Sequence, residues 1–364
     1  MNIIRIPKGH GKFRTICIPT PEEKAKNGLW IPRFQKELED QWGDQINNRT
    51  QWPIHGFTPG RSPATNALAH RGHRFSLCFD LKDFFDTVRV RHVGDYLLPY
   101  QVRGMVQECF FIVDKEQSRC TSLQEFEKSI IDSPLTPEET RNFYEMCGAL
   151  FTFSASPTQG LPASPVIANL AAFKMDLDIL ALNKTGRLGT AFVYTRYCDD
   201  LTFSFDTEGV GKMLEIEIPK IVEKHRFVIN PDKTHWQCSD AGRRIITGVS
   251  VGNDIRMTRK TRRRIRAARH QIRNKITGRN RARLAAIARQ RRMQGDPVSL
   301  HGLLVSGYRG LKEWSTLRLP KEWIKDKAAN ETKPVMATRT QQRASNNQQS
   351  AVISVPENYN RKIG

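Results

Sequence analysis

No run of eighteen apolar residues occurs in this 364-residue chain, so a transmembrane helix is not expected. The opening Met1-Asn2-Ile3-Ile4-Arg5-Ile6 lacks the basic-then-apolar order of a secretory signal. Cysteine is sparse: seven residues, at 17, 78, 109, 120, 147, 198 and 238, with no CxxC pair among them. That scatter argues against structural zinc and a disulfide framework, and it points to a reducing, cytoplasmic setting. His70 and His73 have ligand-like spacing, but no Cys or carboxylate stands near them in the sequence, so no metal role is expected there. Acidic residues are missing where basic ones are densest. From Arg256 to Arg292 there are sixteen Lys or Arg and no Asp or Glu, which accounts for most of the formal net charge of +21. The last forty residues, from Lys325, lack large apolar periodicity and are expected to form a polar tail without a core of its own.

What is present supports a globular protein, with 38% hydrophobic residues, six Trp and eighteen Phe. The most informative stretch is Tyr197-Cys198-Asp199-Asp200. Before it, Ala191 to Tyr197 is apolar, aromatic and β-branched; after it, Leu201 to Phe205 alternates large apolar with small polar residues. Both read as strands, so a tight turn would hold two adjacent carboxylates at a hairpin tip. Neighbouring like charges repel, and a divalent cation that takes hard oxygen ligands would relieve the penalty. A third carboxylate, Asp80, ends the strand-like run Phe75–Phe79. Three aspartates at strand ends could hold the two metal ions of a nucleotidyl-transfer site.

The basic segment reads as two helices. Ile265, Ala268, Ile272 and Ile276 recur at helical spacing, as do Leu284, Ile287 and Ala288 after a break near Gly278. Each has a narrow apolar stripe and a cationic remainder. Without acidic partners these charges repel one another, and a polyanion that sheds its condensed counterions relieves them. Nucleic-acid contact is therefore expected at Arg259, Arg262, Arg263, Arg266, Arg269 and Arg273.

These surroundings resemble a reverse transcriptase, in motif order over roughly 250 residues. Lys12-Phe13-Arg14-Thr15-Ile16 with Pro19 is similar to the first fingers motif, and His55-Gly56-Phe57 with Gly60-Arg61-Ser62 to the second. Phe79 to Phe85 resembles the palm motif bearing the first catalytic aspartate, and Gln159 to Pro165 the glutamine-glycine motif. Tyr197 to Asp200 is the YxDD box, Ile229 to Thr234 the following motif with its lysine, and Ile246-Thr247-Gly248 closes the series. Asn66-Ala67-Leu68-Ala69-His70 matches the NAxxH motif of retron reverse transcriptases, and Ile246-Thr247-Gly248 is similar to their VTG motif. The chain departs from that pattern with QGLPASP in place of QGAPTSP and with Cys198 where alanine is frequent. The first motif begins within the opening dozen residues, which leaves no room for the N-terminal extension usual in group II intron enzymes.

The resemblance implies an α+β right hand with an antiparallel palm sheet and a helical thumb. Fingers would span 1–75, with 91–156 returning toward them; palm 76–90 and 157–250; thumb 251–324; tail 325–364. It implies that Asp80, Asp199 and Asp200 hold two Mg²⁺ ions, with Mn²⁺ as a substitute. The backbone from Leu81 to Phe84 would help hold the triphosphate of a dNTP, and Phe85 would exclude a 2′-hydroxyl. Lys12 and Arg14, on one face of a strand, would meet the β- and γ-phosphates. Gln159 and Gly160 would form a floor beside the nucleotide, and Lys233 would serve the departing pyrophosphate. Asn66 and His70, four apart on a helix, would either recognise RNA or form a packed, hydrogen-bonded pair. The implied partners are a structured non-coding RNA, both template and primer, its DNA product, and a separate effector protein; no membrane is implied.

Overall fold

β1 (Asn2–Gly9) and β2 (Lys12–Ile18) pair as an antiparallel ribbon, Ile3 facing Cys17 and Ile6 facing Arg14. The protein is seen here in a computed structural model, which describes residues 2–9, 12–89, 92–93, 96, 136, 138, 156–157, 159–184, 191–274, 278–293, 298–317 and 319. These all belong to the unit Met1–Pro320. Most of 91–156, with the helices expected near 92–98 and 137–151, and the tail 325–364 lie outside the described residues.

Short-range signals set the next helices. α1 (Pro21–Gly28) starts on a capping box in which Thr20 accepts from the Glu23 amide while the Glu23 carboxylate accepts from Thr20, with Pro21 pre-set in the first turn. α2 (Ile31–Gln45) buries Phe34, Leu38 and Trp42 along one face. Trp42 meets Phe173 edge-to-face at 4.8 Å, a geometry that contributes about 0.5–1.5 kcal/mol beyond burial. α3 (Pro63–Ala69) repeats the device with Ser62, Thr65 and Pro63.

β3 (Phe75–Asp80) leads into the one-turn α4 (Phe84–Thr87). The sequence predicts a single helix over 165–182; the chain instead forms α5 (Ser164–Ala171) and α6 (Phe173–Lys184), interrupted at Ala172. β4 (Val193–Tyr197) and β5 (Asp200–Phe205) make the expected hairpin. α7 (Glu208–Lys224) starts earlier than the sequence suggests. The strand expected at Phe227–Ile229 is reduced to one isolated bridge between Ile229 and Leu81, whereas β6 (His235–Cys238) forms.

The four strands order as β4-β5-β3-β6, all antiparallel. β5 and β3 are therefore central, and Asp80 lies directly across from Asp200. Phe79, Leu81, Phe203, Phe205, Ile167, Ile179, Leu214 and Ile218 belong to one buried cluster that joins this sheet to α2, α5, α6 and α7. Burial of such side chains contributes about 1.5–3 kcal/mol each and pins the strand ends that carry the aspartates.

A second sheet follows: β7 (Arg244–Ile246), β8 (Val249–Val251) and β9 (Ile255–Met257). Ile246, Val249, Val251 and Ala67 of α3 form its small core. Beyond it come α8 (Arg259–Arg273), α9 (Gly278–Met293) and α10 (Leu300–Ser315). α10 packs against both basic helices. Thr258 caps α8 by accepting from the Thr261 amide. Among the described residues no helix is long and apolar enough to cross a membrane.

Candidate active site

Three carboxylates gather at one end of the central sheet. Asp80 closes β3, Asp200 opens β5 opposite it, and Asp199 sits in the two-residue turn between β4 and β5. Backbone bonds fix the trio: the Leu81 amide donates to the Asp199 carbonyl at 2.9 Å, and the Asn230 amide to the Asp80 carbonyl at 2.8 Å. Cys198 at the turn has φ 60, a left-handed backbone usually given to glycine. The turn also packs tightly on Gly56, where a Cβ would stand 2.4 Å from the Cys198 amide nitrogen.

The electrostatics are those of crowded anions. Asp200 keeps an exposed edge, yet partial burial, then Asp199, then Asp80 push its carboxyl up to about 6. Burial and the Asp199 charge push the Cys198 thiol up to about 12, so it is a protonated filler rather than a thiolate ligand. Lys233 donates to Asp80 Oδ1 at 2.7 Å, and Asn230 Nδ2 to Asp80 Oδ2 at 3.3 Å. The bond to Asp80 raises the Lys233 ammonium above its usual range. Oxygen-only donors under mutual repulsion fit a hard divalent cation in kind. Among the described residues, no group of three His, Cys, Asp or Glu is arranged to hold an ion as it stands.

The other expected nucleotide contacts are placed unevenly. Phe84 is buried against Phe227, while Phe85 is half-buried and meets Phe57 at 6.1 Å on the other side. The Leu81 amide is committed to Asp199 and the Lys82 amide to the Val228 carbonyl, so these two amides are not free for a phosphate. Gly160 has φ 113, and a Cβ there would lie 2.0 Å from the Cys17 carbonyl oxygen. Its close neighbour is thus the β2 backbone, which also bonds Gln159 through Cys17 N–H at 2.8 Å. Lys12 and Arg14 are both on β2, but their side chains lie outside the described residues.

The NAxxH residues are interior. Asn66 and His70 are both fully buried. His70 Nδ1 bonds Ser204 Oγ at 2.9 Å and Nε2 bonds Thr195 Oγ1 at 2.6 Å, tying α3 to β4 and β5. Asn66 Nδ2 donates to Thr247 Oγ1 at 3.4 Å, and the Thr247 hydroxyl donates to the Pro63 carbonyl at 3.2 Å. The buried Arg244 donates to the His70 carbonyl at 2.6 Å and to Ser76 Oγ at 2.7 Å. The two motifs are one hydrogen-bonded seam between the sheets, and the RNA contact expected of Asn66 and His70 gives way to the packed pair. His73, away from this seam, pairs with Asp206 at 3.0 Å, a carboxylate remote in sequence.

Arg259, Arg262, Arg263, Arg266, Arg269 and Arg273 are all exposed on α8, while Thr261, Ile265, Ala268 and Ile272 turn inward. Met257, Arg259, Arg262, Ile265 and Arg266 line a groove of about 630 Å³. Sequence reasoning missed Arg196 and Asp176, a fully buried ion pair at 2.7 Å under the hairpin. Only an arginine inside an otherwise apolar strand signalled it.

The chain belongs to the reverse transcriptase (RNA-dependent DNA polymerase) family, whose profile matches residues 6–273. It is similar to the Retron Mx162 reverse transcriptase of Myxococcus xanthus, 32% identical, covering 75% of this chain and 52% of that protein. The Retron Mx65 reverse transcriptase of the same organism is 31% identical, with coverage of 73% and 54%. The Retron Ec73 reverse transcriptase of Escherichia coli is 25% identical, with coverage of 65% and 68%. The chain thus spans about half the length of the two Myxococcus relatives. Among solved structures, apo telomerase from Candida Tropicalis has a TM-score of 0.46 at 14% identity, covering 70% of this chain and 48% of that one.

Proposed function

We propose that this protein is a retron RNA-directed DNA polymerase that copies a cognate structured RNA into short single-stranded DNA. The observation that carries the reading is the cross-strand register of Asp80 with Asp200, with Asp199 at the adjoining tip. Similarity to retron enzymes supports the branch. In this reading the ribbon and α1–α3 act as fingers, the four-stranded sheet as palm, and α8–α10 as thumb.

Two Mg²⁺ ions, when bound by Asp80, Asp199 and Asp200, would activate the primer hydroxyl and offset charge on the leaving pyrophosphate. The chain's own groups do the rest. Lys233 releases Asp80 and supplies a proton or positive charge to the pyrophosphate. Phe85, braced by Phe57, closes off the sugar's 2′ side. Gln159, whose carbonyl accepts from Cys17 of β2, and Gly160, set close against the same strand, form a floor beside the template base and nucleotide, and Lys12 and Arg14 approach the triphosphate from that strand. The exposed arginines of α8 track the RNA backbone. The RNA provides both template and a 2′-hydroxyl primer, and antiphage defence with a separate effector is the expected setting.

The test is to express the gene with its native flanking DNA, as wild type and as Asp199→Ala/Asp200→Ala, and to extract nucleic acid. A short discrete DNA whose mobility changes on RNase or debranching treatment should appear with the wild type alone. If neither strain makes it while the pure protein extends a DNA primer on RNA, the retron branch is wrong and another bacterial reverse transcriptase remains. If the variant makes as much DNA as the wild type, the catalytic assignment fails.

A further inference from the structure

The strain at the hairpin tip needs something to hold it. Cys198 adopts φ 60 although it is not glycine, and it carries the two residues whose carboxylates define the site. Directly beneath lies Arg196, with no exposed surface. Its Nε donates to Asp176 Oδ1 at 2.9 Å and its Nη2 to Oδ2 at 2.7 Å. Its Nη1 donates to Asn169 Oδ1 at 3.0 Å and to the Cys198 carbonyl at 3.2 Å. Asn169 in turn donates to the Gly56 carbonyl at 2.9 Å, on the segment against which the tip packs. The guanidinium also stands 5.9 Å from the centre of the Phe84 ring, next to Phe85. The Arg196 backbone is held as well, its amide on Pro53 and its carbonyl by His55, both at 2.8 Å.

Stability alone does not call for this arrangement, since well-packed apolar side chains of similar volume often serve a core as well as a buried ion pair does. A planar fork with fixed donor directions does something an apolar group cannot: it takes hold of one carbonyl at a chosen place. We propose that Arg196, anchored by Asp176 and Asn169, is a positioning residue that sets the Cys198 carbonyl and thereby the stance of Asp199 and Asp200. The inference rests on the polymerase reading for its kinetic consequence but not for its structural one.

The test compares wild type, Arg196→Lys, Asn169→Ser and Tyr194→Phe. Arg196→Lys keeps a cation beside Asp176 but loses the fork. Asn169→Ser loosens Nη1 and the bond to the Gly56 carbonyl but leaves the ion pair intact, so it serves if the lysine variant does not fold. Tyr194→Phe removes only a hydroxyl bond to Asp176 Oδ1 at 2.7 Å and controls for general damage to the network. Steady-state dNTP incorporation on a primed RNA, Mn²⁺ affinity by electron paramagnetic resonance of the free ion, and melting temperature are measured for each.

Arg196→Lys and Asn169→Ser should lose about 10- to 100-fold in kcat with dNTP KM and RNA affinity little changed. Their Mn²⁺ affinity should fall too, while Tyr194→Phe keeps both. A lower melting temperature with kcat and Mn²⁺ affinity intact would overturn the proposal and leave Arg196 a core residue. Should the wild type extend no primer, the polymerase reading falls, and the Mn²⁺ comparison still decides the positioning claim.

Discussion

At the scale of single residues, two adjacent aromatics divide their labour. Phe84 is 3% exposed and packs on Phe227, while Phe85 turns to Phe57, itself 50% exposed. In the sequence the resemblance alone singled out Phe85, because no alternation can be read in the four-residue helix that carries the two. Asp83 precedes them at φ 47, and that left-handed step reorients the chain leaving β3. If Phe85 guards the sugar, Phe85→Ala should raise rNTP incorporation relative to dNTP by about tenfold or more, in line with removing a steric barrier of about 1–3 kcal/mol. Single-nucleotide extension with each dNTP and rNTP measures it. An unchanged preference for dNTP removes Phe85 from that role.

At the scale of elements, α8 is the clearest case of a helix whose solvent face has a single sign. Its fifteen residues contain no acid, and its apolar stripe of Ile265, Ala268 and Ile272 is half-buried. Replacing Arg262, Arg266 and Arg269 by Gln should weaken RNA binding. The slope of log affinity against log salt should flatten by about 0.7–0.9 for each phosphate no longer neutralised. Filter binding across a range of salt concentrations checks this, and an unaltered slope would mean that α8 leaves RNA untouched. Elements with a clear pattern were legible in the sequence: β3, the β4–β5 hairpin, α7 and α8. The β7–β9 sheet was not, since three-residue strands are too short to show a period. The interruption at Ala172 was hidden because no Gly or Pro stands there to break the helix. Asp80, Asp199 and Asp200 were legible because carboxylates at strand ends are conspicuous. The partners of Asn66 and His70 were not, lying more than a hundred residues away.

At the scale of the whole molecule, the seam between the two sheets ties stability to pH. Burial, followed by the Arg244 and His73 charges, holds His70 down at about 3 against an ordinary 6.5. His55, also buried and bonded to Thr65 at 2.9 Å, is lowered well below that range, chiefly by burial. In the unfolded chain each imidazole takes a proton near pH 6.5; in the folded protein each stays neutral. The unfolded state therefore binds more protons in this interval, so stability is complete above about pH 6.5 and drains away as pH falls toward 3. His70 alone gives a slope approaching ~1.4 kcal/mol per pH unit. His70→Gln should lower the melting temperature at about pH 7.5 and make it fall less between about pH 6.5 and 4.5 than the wild type's does. Parallel curves for the two proteins would show that His70 titrates alike in both states.

The four-stranded sheet also bears on how the protein behaves in company. Its outer strands are where a second chain would add itself, amide by amide. On the β4 side, Pro53 and His55 already occupy the backbone of Arg196. On the β6 side, the Gln237 carboxamide bonds both the amide and the carbonyl of Ile245, at 2.6 and 2.9 Å, drawing β7 over the rim. The strands that bear the aspartates are enclosed by the outer pair, and the β4 edge is already taken at Arg196. The backbone of Arg196 is thereby closed to edge-to-edge growth by a second copy of the chain.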